Sequence, residues 1–277
     1  MTADSQPGPL GVFDSGVGGL SVLKAIRQQL QDEDVIYVAD QAHVPYGPRP
    51  MEQVRLFSEE ITRLLLSQAC KIIVVACNTA SASALHSLRQ DFPQALFVGM
   101  EPAVKPAAET SRSGVVGVLA TPATFQGALY ASVIERFARG VTVLQHTCPG
   151  LVAQIEAGDL ASGKTRVILE DALLPMLAQG IDTVVLGCTH YPFVIPLIEE
   201  ISGPEVRVID PAPAVARQVE RLLKERNLRS MRQASGALQV FTTGEPAPLA
   251  GMLPALLGEA SPVGQLRWMG ERLEVVL

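Results

Sequence analysis

Two stretches of the chain repeat one pattern that decides the fold: Ile73-Val74-Val75-Ala76-Cys77-Asn78-Thr79 and Val184-Val185-Leu186-Gly187-Cys188-Thr189-His190. Each is an apolar run followed by a small residue, one cysteine and polar residues that open a helix-like segment. A short apolar run of this kind is typical of a buried strand in a parallel sheet. The two cysteines lie 111 positions apart, so the pattern predicts one strand–cysteine–helix unit that is used twice.

Strand-like and helix-like segments alternate along the rest of the chain. The predicted strands are 11–13, 35–39, 72–76, 96–99, 115–119, 141–145, 183–187, 206–209 and 237–242. Apolar residues at helical spacing predict helices over 51–69 and 165–179. This alternation predicts an α/β fold with mostly parallel sheets flanked by helices.

A second, weaker repeat indicates two lobes. Residues 11–15 (Gly-Val-Phe-Asp-Ser) resemble residues 117–121 (Gly-Val-Leu-Ala-Thr) at an offset of 106, close to the offset between the cysteines. We therefore predict two similar lobes related by a pseudo-two-fold repeat. The expected lobes are 1–99 plus 211–277 and 100–210, since the segment after 210 has no counterpart in the first half and is expected to pack on the first lobe.

Asp14, Cys77, Thr121 and Cys188 each follow a predicted strand. Ligands of parallel α/β sheets bind at the carboxyl ends of the strands. We therefore expect the active site in the cleft between the lobes.

Composition excludes several classes of protein. The chain has 277 residues, 48% of them hydrophobic and 18% charged, which is ordinary for a globular protein with a full core. A net charge of −6 without any Lys/Arg run argues against a nucleic-acid partner. No apolar stretch approaches the roughly 20 residues of a membrane span. Residues 1–9 lack the features of a signal peptide and are expected to be a frayed tail, which leaves the cytoplasm as the default location.

The four cysteines show neither Cys-x-x-Cys pairing nor zinc spacing with the histidines, so no metal site is predicted. Cys70 and Cys148 are expected to be buried core thiols. Cys77 and Cys188 have polar neighbours at the start of a helix, where the partial positive charge lowers a thiol pKa. Asn78 or Thr79 is the expected N-cap of the first of these helices.

Two thiols at matched strand ends suit chemistry with one acid/base on each face of a substrate. Removing a proton from one face and returning one to the other is racemisation. His190 lies two positions past Cys188, so we expect it beside that thiol.

The segment Phe13 to Leu20 is rich in glycine, which allows a ligand to approach the backbone closely. It is not a dinucleotide fingerprint, because Ser21 stands where the last glycine should be. Asp14 or Ser15 is also a candidate helix N-cap. The turn-rich segment 40–47 is either a wall or lid of a binding site or a plain connection.

Residues 158–165 match the phosphate-loop pattern Gly-x-x-x-x-Gly-Lys-[ST]. That loop requires a buried strand directly before its first glycine, whereas residues 151–157 have helical spacing and carry Glu156. Asp159 would also face a bound phosphate. We therefore predict a surface loop between two helices.

Together these motifs resemble the glutamate racemase family. The residues that carry the resemblance are Asp14 to Ser21, Pro45-Tyr46-Gly47, Ala76 to Ser81, Glu101-Pro102-Ala103 and Gly187 to Pro192. They occur in the family's order over most of the chain, with nothing specific after about residue 210. The phosphate-loop match is not part of the family pattern.

The resemblance implies an isomerase of two α/β lobes that interconverts L- and D-glutamate without a cofactor and supplies D-glutamate for peptidoglycan. It implies Cys77 and Cys188 as the two acid/bases, with Cys77 acting on D-glutamate and Cys188 on L-glutamate. Asp14 is expected to assist one cysteine and His190 the other. The implied substrate contacts, to which we add Thr121 from the repeat, are Asp14, Ser15, Tyr46, Gly47, Asn78, Thr79, Glu156, Thr189 and His190.

Several alternatives remain open from the sequence. An aspartate or hydantoin racemase would keep both cysteines and change the pocket. A two-lobed binding protein would have no need of paired thiols and typically carries a signal peptide, and a nucleotide hydrolase would need a strand before residue 158. The sequence does not decide whether the chain forms a homodimer.

Overall fold

The computed structural model describes residues 7–276, which form two mostly parallel sheets flanked by helices. Residues 1–6 of the expected N-terminal tail lie outside the described residues, as does Leu277. The strands are β1 Leu10–Asp14, β2 Val35–Ala39, β3 Ile72–Val75, β4 Phe97–Gly99, β5 Val115–Ala120, β6 Thr142–His146, β7 Thr183–Gly187, β8 Arg207–Ile209, β9 Leu238–Thr242, β10 Val263–Met269 and β11 Arg272–Val275.

Helices follow most of the strands. They are α1 Leu20–Gln29, α2 Met51–Ser67, α3 Asn78–Asp91, α4 Val104–Thr110, α5 Pro122–Gln126, α6 Ala128–Phe137, α7 Leu151–Glu156, α8 Gly163–Leu177, α9 Ile195–Ser202, α10 Ala212–Glu225 and α11 Pro246–Leu256, with a 3-10 helix at Tyr191–Val194. Within residues 7–276, none of these helices is both long and apolar enough to cross a membrane.

The larger sheet has the strand order β11-β10-β9-β2-β1-β3-β4, and the smaller one has the order β6-β5-β7-β8. All pairs are parallel except β10 with β11. The central strands β1, β2, β3 and β7 are buried along their whole length, because helices cover both faces of a parallel sheet. Burial on both faces explains why these strands are continuous apolar runs in the sequence.

The two sheets share a repeated core, which confirms the predicted repeat. The order β2-β1-β3-β4 in the first sheet matches β6-β5-β7-β8 in the second. Phe13 is paired with Val75 across β1 and β3, and Leu119 is paired with Leu186 across β5 and β7. These pairs are equivalent at the sequence offsets of 106 and 111, so the repeat in sequence is also a repeat in register.

The segment after residue 210 returns to the first sheet. Helix α10 packs against α1, and β9 pairs in parallel with β2. Strands β10 and β11 were not predicted, because glycine and polar residues interrupt the apolar pattern of strands near a sheet edge. The expected lobe boundaries fall between strands of different sheets, and they stay a prediction.

Residues 158–162 of the phosphate-loop match connect two helices at the surface, as predicted, and residues 163–165 form the first turn of α8. Helix α7 precedes it, and the Ser162 hydroxyl caps α8 by accepting the backbone N–H groups of Lys164 and Thr165. The Asp159 carboxylate accepts hydrogen bonds from the Ser162 N–H and hydroxyl at 3.0 and 2.6 Å. An acidic group therefore stands where a phosphate loop would hold an anion.

We predict that Lys164→Ala leaves fold and activity unchanged, because the Lys164 side chain is exposed in the first turn of α8, which Ser162 caps. Isothermal titration of the wild-type protein with Mg-ATP should give no binding signal. A micromolar dissociation constant that the variant loses would overturn this interpretation.

Candidate active site

Cys77 lies where β3 ends and α3 begins, and it is itself the N-cap of α3. Its Sγ accepts the backbone N–H of Ala80 at 3.4 Å, and the Ser15 hydroxyl oxygen lies 4.0 Å away. The prediction that Asn78 or Thr79 caps this helix is therefore wrong, because the extended backbone at Cys77 directs the thiol towards the free N–H groups. Asn78 is instead the first helical residue.

Cys188 occupies the equivalent place after β7. Its Sγ lies 3.8 Å from Nδ1 of His190, which puts the imidazole beside the thiol as predicted. Tyr191 begins the 3-10 helix, and Pro192 lies in its first turn, where a missing N–H costs nothing.

Both thiols line one cavity between the two sheets. The residues around it are Ser15, Pro45, Tyr46, Gly47, Cys77, Asn78, Thr79, Thr121, Val152, Cys188, Thr189 and His190. Its volume is only about 10 Å³, which is room for roughly one water molecule. Segment 40–47 contributes Pro45, Tyr46 and Gly47, so the structure favours a cavity wall over a plain connection.

Two of the predicted site residues, Asp14 and Glu156, lie behind this lining instead of on it. Val152 lines the cavity and was missed. Its spacing of four residues from Glu156 within one helical segment places both side chains on one face of α7, and this spacing could have indicated it.

Asp14 is completely buried at the end of β1. One carboxylate oxygen accepts the Gly16 N–H at 2.8 Å, and the other accepts the Thr189 hydroxyl from the second sheet at 3.0 Å. Neither Asp14 nor Ser15 caps α1, because Gly19 occupies the N-cap position. Burial raises the pKa of the Asp14 carboxyl, although the nearby His190 acts in the opposite direction.

Glu156 joins the two halves of the site. Its carboxylate accepts the Val17 N–H at 2.8 Å and the Gln41 side-chain amide at 3.1 Å, both from the first sheet. Nε2 of His190 lies 2.5 Å from Oε1 of the same carboxylate. Burial alone would raise the pKa of Glu156, but the contacts with His190 and Val17 lower it overall.

His190 lies between Cys188 and Glu156, with one ring nitrogen towards each. Burial would lower its pKa, but the hydrogen bonds with Cys188 and Glu156 raise that pKa well above its usual value. Both contacts therefore favour the protonated form of the imidazole beside the Cys188 thiol.

The pKa of the Cys77 thiol differs from the expected one. A helix N-terminus was expected to lower its pKa, but burial and the neighbouring Asp14 carboxyl raise it well above the usual value. The N–H of Ala80 lowers this pKa by less than burial raises it.

The two halves approach closely around the glycine-rich segment. A Cβ at Gly16 would overlap the Glu156 carboxylate, and one at Gly18 would overlap the His190 ring. The hydroxyl oxygens of Thr79 and Thr121 lie 2.8 Å apart across the cleft. The glycines therefore permit the contact that closes the cavity.

Asn78 has a buried side-chain amide whose oxygen and nitrogen both lack a hydrogen-bond partner. A buried amide without partners is costly, so this cavity-lining group is available for a ligand. Among residues 7–276, no group of three or more His, Cys, Asp or Glu side chains could hold a metal ion.

Comparisons with known proteins agree with this architecture. The family described as Asp/Glu/Hydantoin racemase matches residues 10–219. The glutamate racemase of Pseudomonas paraeruginosa is 51% identical over 96% of this chain and 99% of its own length.

Solved structures agree as well. Escherichia coli glutamate racemase, in complex with L-glutamate and the activator UDP-MurNAc-ala, has a TM-score of 0.81 at 31% identity and covers 98% of this chain and 100% of its own. Francisella tularensis glutamate racemase, in complex with D-glutamate, has a TM-score of 0.81 at 28% identity and covers 93% and 96%. The chain therefore belongs to the Asp/Glu/hydantoin racemase family and, within it, to the glutamate racemases, which are isomerases.

Proposed function

We propose that the chain interconverts L- and D-glutamate by a two-base mechanism in which Cys77 and Cys188 act on opposite faces of the α-carbon. The observation that carries this proposal is that two thiols, each at the end of an equivalent strand, line one cavity from two sides. One thiolate takes the α-proton while the opposite thiol donates a proton to the other face. After one turnover the thiol and the thiolate have exchanged places, which is the state that the reverse reaction needs.

Polar groups of the cavity suit the two ends of an amino acid. The unpartnered amide of Asn78 can donate to a carboxylate, and the hydroxyls of Thr79 and Thr189 can donate or accept. We propose these three side chains as holders of the substrate's charged groups. Ser15, Tyr46, Gly47 and Thr121 complete the proposed contacts.

The two thiols have different helpers in this mechanism. The cationic His190 stabilises a thiolate at Cys188, and Glu156 keeps that imidazole charged and oriented. Asp14 lies on the side of Cys77 and is the proposed partner of that thiol. Burial penalises a charged Cys77 in the closed cavity, and an entering ammonium group offsets this penalty by supplying a positive charge.

Substrate entry requires the two halves to separate. A glutamate molecule needs many times the 10 Å³ of the closed cavity. The compact arrangement leaves room for little water, which strengthens the charge interactions around the developing carbanion.

The direct test is incubation of the pure protein with L-glutamate without added cofactor, followed by circular dichroism of the amino acid. We expect the signal to decay to zero as the racemate forms. We further propose that the D-glutamate serves peptidoglycan synthesis in the cytoplasm, and expression of the chain should then rescue a bacterial strain that needs D-glutamate for growth.

We predict that Cys77→Ser and Cys188→Ser each lower kcat at least about 100-fold in both directions, because a serine hydroxyl is a far weaker acid than a thiol. Turnover of both enantiomers is measured by circular dichroism. Cys70→Ser is the matched control, since Cys70 is a buried thiol remote from the cavity lining. Near-normal turnover in either cavity variant would contradict the two-base mechanism.

A second prediction assigns each thiol to one enantiomer. In D₂O, Cys77→Ala should retain at most slow α-proton exchange of L-glutamate, and Cys188→Ala should retain it for D-glutamate only, because one acid/base remains in each variant. Loss of the α-proton NMR signal measures the exchange. Exchange of the same enantiomer by both variants would place both thiols on one face and refute the mechanism.

A third prediction concerns pH. The raised pKa of His190 stabilises the fold below about 6.5, and this contribution is lost as pH rises through the folded-state pKa. The lowered pKa of Glu156 stabilises the fold above about 4.5, and this contribution is lost as pH falls through its folded-state pKa. Glu156→Gln should therefore cost about 2 kcal/mol of unfolding free energy near pH 5.5, and less at pH 9.

Urea denaturation at both pH values measures this difference. The matched control is Glu199→Gln, which makes the same charge change at an exposed position of α9. In the activity assay, the alkaline limb of the pH profile of Glu156→Gln should move to lower pH, because the cationic form of His190 is less stabilised. Equal destabilisation at pH 5.5 and pH 9 would show that the ion pair does not stabilise the fold.

A further inference from the structure

One completely buried carboxyl group, that of Asp40, lies outside the proposed catalytic machinery. It follows β2 directly, and its two oxygens lie within hydrogen-bond distance of four side chains. Three of these side chains, those of Tyr46, Thr243 and Trp268, donate hydrogen bonds to the carboxyl oxygens.

Two of the four side chains belong to segment 40–47, whose residues Pro45, Tyr46 and Gly47 line the cavity. The Tyr46 hydroxyl donates to Oδ2 of Asp40 at 2.6 Å, and Nδ1 of His43 lies 2.9 Å from the same oxygen. The Tyr46 ring is buried, and Tyr46 and Gly47 line the cavity. Because the backbone N–H of Asp40 also donates to the carbonyl of Asp14 at 2.9 Å, this residue ties the wall to the end of β1.

The other two side chains come from the C-terminal strands. The Trp268 indole N–H on β10 donates to Oδ1 at 2.8 Å, and the Thr243 hydroxyl, just after β9, donates to the same oxygen at 2.7 Å. Both residues lie beyond 10–219, the part of the chain that the family description matches.

Aromatic packing holds the same group of residues together. The His43 ring stacks on Phe57 with centroids 3.8 Å apart and planes 10° from parallel. The rings of Trp268 and His43 pack in a T-shaped arrangement with centroids 5.1 Å apart. The indole is therefore fixed both by its N–H and by its ring.

We propose that Trp268, together with Thr243, is a positioning residue for substrate binding: the C-terminal strands hold Asp40, and Asp40 holds the Tyr46–Gly47 wall against the substrate. This inference rests on the proposed racemisation of glutamate at the cavity. It assigns a role in the site to the segment in which the sequence shows no family motif.

The test compares Trp268→Phe, which keeps an aromatic ring and removes the N–H donor, with the wild-type chain. A wall contacts the substrate alike in the ground state and the transition state, so its loosening raises KM and leaves kcat nearly unchanged. We expect KM to rise about tenfold for both enantiomers, with kcat within about threefold of the wild type. Met269→Ala, an exposed neighbour on the same strand, is the matched control and should change neither constant.

A double-mutant cycle separates positioning from general destabilisation. Trp268 and Tyr46 act through the same carboxyl. The double variant Trp268→Phe/Tyr46→Phe should therefore raise KM by less than the two single variants do in combination. Thr243→Val keeps the shape of the side chain and removes its hydrogen bonds to Asp40 and from the Ala42 N–H, which both hold segment 40–47. It should raise KM in the same way, and it replaces Trp268→Phe in the test if that variant does not fold.

The outcomes are distinct. Unchanged KM in folded Trp268→Phe and Thr243→Val, or a fall in kcat at constant KM, would overturn the positioning role while leaving the racemase proposal intact. Fully additive effects with Tyr46→Phe would overturn the shared action through Asp40. Absence of racemisation by the wild-type chain would instead refute the proposed function itself.

Discussion

The contact between the two halves at Glu156 is the interaction on which the rest of the site depends. One carboxylate on α7 accepts hydrogen bonds from Val17 and Gln41 of the first half and pairs with His190 of the second. Closure is possible only because Gly16 and Gly18 have no side chain where this carboxylate and the imidazole lie. The same contact, together with the hydrogen bond to Cys188, raises the pKa of His190, so it shapes both the geometry and the electrostatics of the cavity.

Burial acts on the site in two opposite ways. It leaves room for roughly one water molecule in the cavity, and so little water strengthens the charge interactions inside it. It also penalises charged groups, and the pKa values of Cys77 and Asp14 rise for this reason. In the proposed mechanism the two thiols are unequal before substrate binds, since an imidazole with a raised pKa lies beside Cys188 while the Asp14 carboxyl raises the pKa of Cys77. A substrate ammonium group reduces this inequality when it enters.

The C-terminal strands β9, β10 and β11 extend the first sheet beyond the repeated four-stranded core. The first sheet therefore has seven strands and the second has four. Strand β9 joins the sheet beside β2, and so brings Thr243 and the following strand to Asp40. A segment without recognisable motifs thereby reaches the wall of the cavity. Support of this kind leaves little trace in a sequence, because the residues that supply it are remote in the chain from those they hold.

Local patterns in the sequence determined all nine predicted strands, the repeated unit and the equivalent positions of Cys77 and Cys188, because buried parallel strands are continuous apolar runs. Tertiary structure decided the rest. Strands β10 and β11 are added at the edge of the first sheet beyond β9. The Cys77 thiol caps α3, and burial raises its pKa, which was expected to be lowered. Each depends on burial and on contacts between distant residues, such as Glu156 with Val17, and spacing along the chain carries no record of these contacts.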